Sequence, residues 1–131
     1  MRICDVIDWV DEVKPNAFSD NVKVSWLNAL EGRLQADVLL LAPLPPYDAD
    51  ADMESTLLIE PPHDDLYGLW LSAKIDEANG EYAKYANTLA VFNGHYDNFV
   101  RWFADTYAPA QGYNTGLTRP WLPWRRPRLV N

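Results

Sequence analysis

Two histidines, one cysteine and 19 carboxylates are the side chains of this 131-residue sequence best suited to chemistry. Neither His63 nor His95 stands at metal-ligand spacing from a second histidine or from a cysteine, so no zinc site is expected. His63, beside Asp64 and Asp65, reads as part of a helix start, and His95 as a partly buried residue next to an apolar stripe. Asp48, Asp50, Asp52 and Glu54 alternate with small residues in the manner of a calcium loop, but the glycine and closing glutamate of an EF-hand are missing. A solvated acidic loop is the expectation there. Asp76-Glu77 and Glu81 could form an acid-base pair, but they fall around an expected helix end, where solvated acids are ordinary. A nucleophile elbow, a phosphate-binding glycine loop and a dinucleotide fingerprint are absent from the sequence. The expectation is a protein that is not an enzyme and uses no cofactor or metal.

The residues that could do binding chemistry lie near the end of the sequence, which reads Thr118-Arg119-Pro120-Trp121-Leu122-Pro123-Trp124-Arg125-Arg126-Pro127-Arg128. Prolines at this spacing forbid a helix and favour an extended polyproline II ribbon. Tryptophan and arginine are the common anchors of protein interfaces, so Trp121, Trp124, Arg125, Arg126 and Arg128 are the candidate partner-docking residues. The competing reading folds this arm back on the acidic body of its own chain.

The charge is divided between these parts. Residues 1–107 carry 7 basic and all 19 acidic side chains, a balance of −12, whereas residues 108–131 carry 4 arginines and no acid. An acidic body argues against wrapping DNA, since phosphate binding is driven by cations that release counterions. A single cysteine, Cys4, excludes an intramolecular disulfide and suits a reducing compartment. No run of about 18 apolar residues and no secretion-signal pattern is present, so a soluble protein made in the cytoplasm is expected.

The elements that must position these residues read as helices. Ile3, Val6, Ile7, Val10 and Val13 predict a short first helix stopped by Pro15. Ser19 can cap a second, whose stripe runs through Trp26, Leu30, Leu34, Val38 and Leu41 before Pro43, Pro45 and Pro46. A long irregular loop follows, to Pro62, in which Thr56 to Ile59 could add a short strand to a neighbouring chain. Asp64 can cap a third helix that ends at Asn79-Gly80. The fourth carries Tyr82, Tyr85, Leu89, Phe92, Tyr96, Phe99 and Phe103 at alternating three- and four-residue steps. That stripe predicts the principal buried seam, with Tyr85, Leu89, Phe92, Tyr96, Phe99 and Phe103 as the scaffold core, and the short join predicts an antiparallel hairpin of the third and fourth helices at the centre of the bundle. The expected fold is all-α: a small bundle of about four helices over residues 1–107, with an extended Pro/Trp/Arg-rich arm over residues 108–131.

Several stretches also resemble a known group of proteins. Val6-Ile7-Asp8-Trp9-Val10-Asp11-Glu12, Lys14-Pro15-Asn16-Ala17-Phe18-Ser19, Trp26-Leu27-Asn28, Leu30-Glu31-Gly32-Arg33, Pro61-Pro62-His63-Asp64 and Ala78-Asn79-Gly80-Glu81-Tyr82 resemble head-tail connector (adaptor, neck) proteins of tailed phages and prophages of Gram-positive bacteria. The likeness covers about Ile3 to Tyr107 and leaves the arm outside it. It implies a structural virion protein that forms a homo-oligomeric ring of about twelve copies beneath the portal protein, with a tail-side neck component below and DNA passing through without specific binding. The implied location is the virion neck, after synthesis in the host cytoplasm, with no membrane partner. The alternative is a regulatory or inhibitor-like interaction module that docks through its arm and never joins a virion. A third reading places the Trp-Pro-Arg arm on anionic lipid, which the acidic body disfavours.

Overall fold

The structure is a computed structural model, and it describes residues 1–107. The described residues form four helices in an all-α arrangement: α1 (Ile3–Val13), α2 (Asp20–Asp37), α3 (Asp65–Ala78) and α4 (Tyr82–Tyr107). The chain divides into two units inside α4: the first is Met1–His95, and the second begins at Tyr96 and is described as far as Tyr107. The expected arm, residues 108–131, lies outside the described residues.

In the first unit, local chemistry sets the helix ends. The Ser19 hydroxyl accepts from the Val22 amide and caps α2. At the end of α3 the Gly80 amide donates to the Glu77 carbonyl and the Glu81 amide to that of Asp76. This paired closure requires a left-handed residue, and Gly80 supplies it at φ 77°. α2 stops at Asp37, short of Leu41, because the Leu39 amide turns back to the Leu34 carbonyl and Leu40 takes the left-handed conformation at φ 51°. Leu41 is therefore exposed, whereas Leu30, Leu34 and Val38 are buried as their spacing predicts.

The helix at the centre of this unit is α3. Leu66, Tyr67, Trp70, Leu71, Ala73 and Ile75 are buried on several sides of it, and α3 packs on both α1 and α2. The expected dominance of the α4 stripe is thus corrected. A regular stripe of one face belongs to a helix that meets its neighbours on one side, whereas apolar residues all round belong to a helix that is surrounded. The first part of α4 also meets α3: the Trp70 and Phe92 rings lie tilted against each other with centroids 5.3 Å apart, and Asp65 pairs with His95 at 2.9 Å. Both contacts join residues nearly equidistant from the Asn79–Glu81 turn, the signature of antiparallel packing. The Trp70 indole also donates to the Trp26 carbonyl at 2.7 Å, and Lys74 and Arg33 lie over its ring at 4.9 and 5.5 Å.

The long loop between α2 and α3 is built into the first unit. Thr56 forms an antiparallel bridge with Arg2, Ile3 and Cys4 donate to the Ser55 and Met53 carbonyls, and Leu57 donates to that of Met1. Leu57 and Ile59 are buried. The run from Thr56 to Ile59 therefore pairs with its own N-terminal segment rather than with a neighbouring chain, since the start of α1 offers it both backbone partners and an apolar floor.

In the second unit, Tyr96–Tyr107 continues α4. Phe99, Trp102, Phe103 and Tyr107 form a chain of ring contacts, the tightest being Phe103 to Tyr107 at 4.5 Å between centroids.

Candidate functional site

The most unusual chemistry in the described residues is a buried carboxylate. Glu31, 1% exposed, sits one residue beyond Leu30 on the packed face of α2. Its Oε1 accepts from the Tyr67 hydroxyl at 2.6 Å, and its Oε2 from the Tyr47 hydroxyl at 3.0 Å and the Leu58 amide at 3.1 Å. The Tyr67 oxygen in turn accepts from the Ile59 amide at 2.9 Å. Burial, and then the adjacent Glu31 carboxylate, pushes both phenols above their ordinary range. A carboxylate surrounded by three donors is held in place, so its role is to fasten the loop to α2 and α3.

Two further buried charges are spent in the same way. Asp76 on α3 accepts from Lys14 at 2.6 Å, and Lys23, 2% exposed, donates to Asp11 at 2.5 Å. The expectation of a solvated Asp76 at the helix end is corrected: the lysine that follows α1 reaches across and covers it. Glu77 and Glu81 instead make exposed pairs with Lys74 and Lys84. His95 is about half exposed and bonded to Asp65, not merely sheltered beside the seam.

The sequence-predicted residues are distributed as follows. Phe92 and Phe99 are buried; Tyr85, Leu89, Tyr96 and Phe103 are half-buried; Tyr82 is exposed. Trp121, Trp124, Arg125, Arg126 and Arg128 lie outside the described residues. The acidic run folds on itself: the Asp48 amide donates to the Asp52 carboxylate at 2.8 Å, and the Asp48 carbonyl accepts from the Asp52 amide at 2.8 Å. Among the described residues no group of three His, Cys, Asp or Glu side chains converges as a metal site would require.

Two surface features remain. A pocket of about 180 Å³ is lined by Met1, Val6, Trp9, Asp64, Asp65 and Gly68. Trp9 lies so close over α3 that a Cβ at Gly68 would stand 2.6 Å from its ring, which is why that helix position is glycine. The pocket's carboxylates are engaged, Asp64 with the Met1 amino group at 3.8 Å and Asp65 with His95. Its lining therefore offers a shallow apolar recess rather than a nucleophile or a free base.

The second feature is a ribbon over residues 40–46, where seven consecutive residues, Leu-Leu-Ala-Pro-Leu-Pro-Pro, are exposed. α2 holds it from beneath. The Leu44 amide donates to the Gln35 side chain at 3.1 Å, and Asn28 clamps Tyr47 by accepting from its amide at 2.8 Å and donating to its carbonyl at 3.0 Å. Sequence reasoning missed the ribbon because the prolines registered only as helix stops; the signal was the absence of any charge between Asp37 and Asp48. No protein family, curated protein or solved structure matches the chain.

Proposed function

We propose that the chain is a structural, non-enzymatic subunit of a phage neck, a head-tail adaptor that assembles as a ring beneath the portal. The observation that carries this reading is the charge division: an acidic body of 7 basic and 19 acidic residues is joined to a segment with four arginines and no acid. A ring closed by head-to-tail contacts needs two unlike surfaces on each subunit, and one chain with an acidic body and a cationic, tryptophan-bearing segment supplies both. The likeness of residues Ile3 to Tyr107 to connector proteins points the same way. An acidic lumen would let DNA slide past with few cations to hold it.

Proteomics of purified particles tests the proposal. The chain is expected in the particle in ring stoichiometry with the portal; its absence from particles, with the protein present in the producing cell, would overturn the virion reading in favour of a regulatory module.

A further inference from the structure

The ribbon over residues 40–47 is apolar and exposed, yet its backbone is fixed. The Leu41 amide donates to the Gln35 carbonyl at 2.9 Å, Leu44 to the Gln35 side chain and Tyr47 to Asn28. These amides recur every third residue, the period of a polyproline II helix. Pro43, Pro45 and Pro46 have no amide to offer, and each restricts the residue before it to extended conformations. Held along one edge by Asn28 and Gln35, the ribbon presents Leu40, Pro43, Leu44 and Pro46 outward with little ordering left to lose on binding. Polyproline ribbons are recognised by aromatic side chains that stack on the rings. This one runs directly into Asp48, Asp50 and Asp52, so the matching partner carries aromatics followed by cations.

The chain contains such a sequence. In Trp121-Leu122-Pro123-Trp124-Arg125-Arg126-Pro127-Arg128 two indoles precede three arginines, which matches the ribbon and its acidic turn in both order and sign. We propose that the ribbon over residues 40–47, with Asp48 to Asp52, is the acceptor for the Trp121–Arg128 segment of a second copy of the chain. The indoles stack on Pro43, Leu44 and Pro46, and the guanidinium groups oppose the aspartates. The contact is heterologous, since ribbon and segment are different surfaces, so it propagates from copy to copy. The choice of a second copy rests on the reading of this chain as a self-assembling subunit; the acceptor surface itself does not.

Complementation between two full-length variants tests it. One carries Leu44→Ser and Pro46→Ser, which spoil the ribbon but keep the amides of residues 44 and 47; the other carries Trp121→Ala and Trp124→Ala. Sedimentation equilibrium is run up to roughly 0.5 mM, a range that detects submillimolar dissociation constants. The wild type is expected to self-associate, and each variant alone to do so at least about tenfold more weakly. An equimolar mixture is expected to regain a one-to-one complex, because one copy contributes an intact ribbon and the other an intact segment. A wild type that stays monomeric, or a mixture that behaves as two separate monomers, overturns the proposal. Should circular dichroism show the ribbon variant unfolded, Asp50→Lys at the exposed acidic turn replaces it under the same expectations. No portal is present, so the outcome is read independently of any role in a phage neck.

Discussion

Replacing Glu31 with alanine removes the acceptor of three donors at once, and the structure sets the size of the effect. Tyr47 is half-buried and can turn its hydroxyl to water, so it contributes little to the loss. The Tyr67 hydroxyl lies in a fully buried side chain and the Leu58 amide points to Glu31 from the loop, so both lose the acceptor that Glu31 gives them. Each donor left unsatisfied costs about 1–3 kcal/mol, so the variant should lose about 4 kcal/mol. That is a large share of the 5–15 kcal/mol typical of a domain, and it corresponds to a fall in Tm of roughly 15 °C. Glu31→Gln keeps one acceptor oxygen and should lose about half as much. Urea titration followed by circular dichroism measures both. Hydrogen exchange supplies a local check: the Leu58 and Ile59 amides should lose protection first, because Glu31 and Tyr67 are what hold them. An alanine variant within about 1 kcal/mol of wild type would refute the argument that the carboxylate fastens the loop.

Other variants carry equally definite expectations. Tyr67 has its phenol pKa raised, so its contribution is fully present below about pH 10, where the unfolded phenol begins to ionise, and is lost as pH rises toward the folded value. Urea titrations from pH 9 to 11.5 should show the wild type losing stability faster than Tyr67→Phe, by up to about 1.4 kcal/mol per pH unit. Lys14→Met should cost about 3 kcal/mol because it strands the buried Asp76, whereas Asp76→Asn should cost less because the partly exposed Lys14 can turn to water; thermal melts of the two variants check the order. Gly68→Ala should destabilise by roughly 1–2 kcal/mol through displacement of Trp9, and adding Trp9→Ala should recover part of that loss in a double-mutant cycle.

What could be read from the sequence was what depends on near neighbours. Ser19 and Asn79-Gly80 mark helix ends because a cap acts within a few residues, and both stand at the ends they imply; Asp64 also stands at the start of α3, but its carboxylate makes no cap hydrogen bond and pairs with the Met1 amino group instead. The spacing of Leu30, Leu34 and Val38 likewise survives as burial. What could not be read depends on partners far along the chain. Glu31 lies on a face whose polarity makes sense only with Tyr67, 36 positions away, and Asp76 needs Lys14, 62 positions away. The same holds for Thr56, whose bridge partner is Arg2. Regularity also misleads about rank: the even stripe of α4 is less deeply buried than the irregularly spaced apolar residues of α3.

The most direct measurement is mass photometry of the full-length chain mixed with purified portal, compared with a chain ending at Tyr107. Adaptor-loaded portal rings are expected, gaining on the order of twelve subunits of 15.0 kDa each, with loss of that loading when the Trp121–Arg128 segment is removed. A chain that remains a single 15.0 kDa species beside an unaltered portal would contradict it.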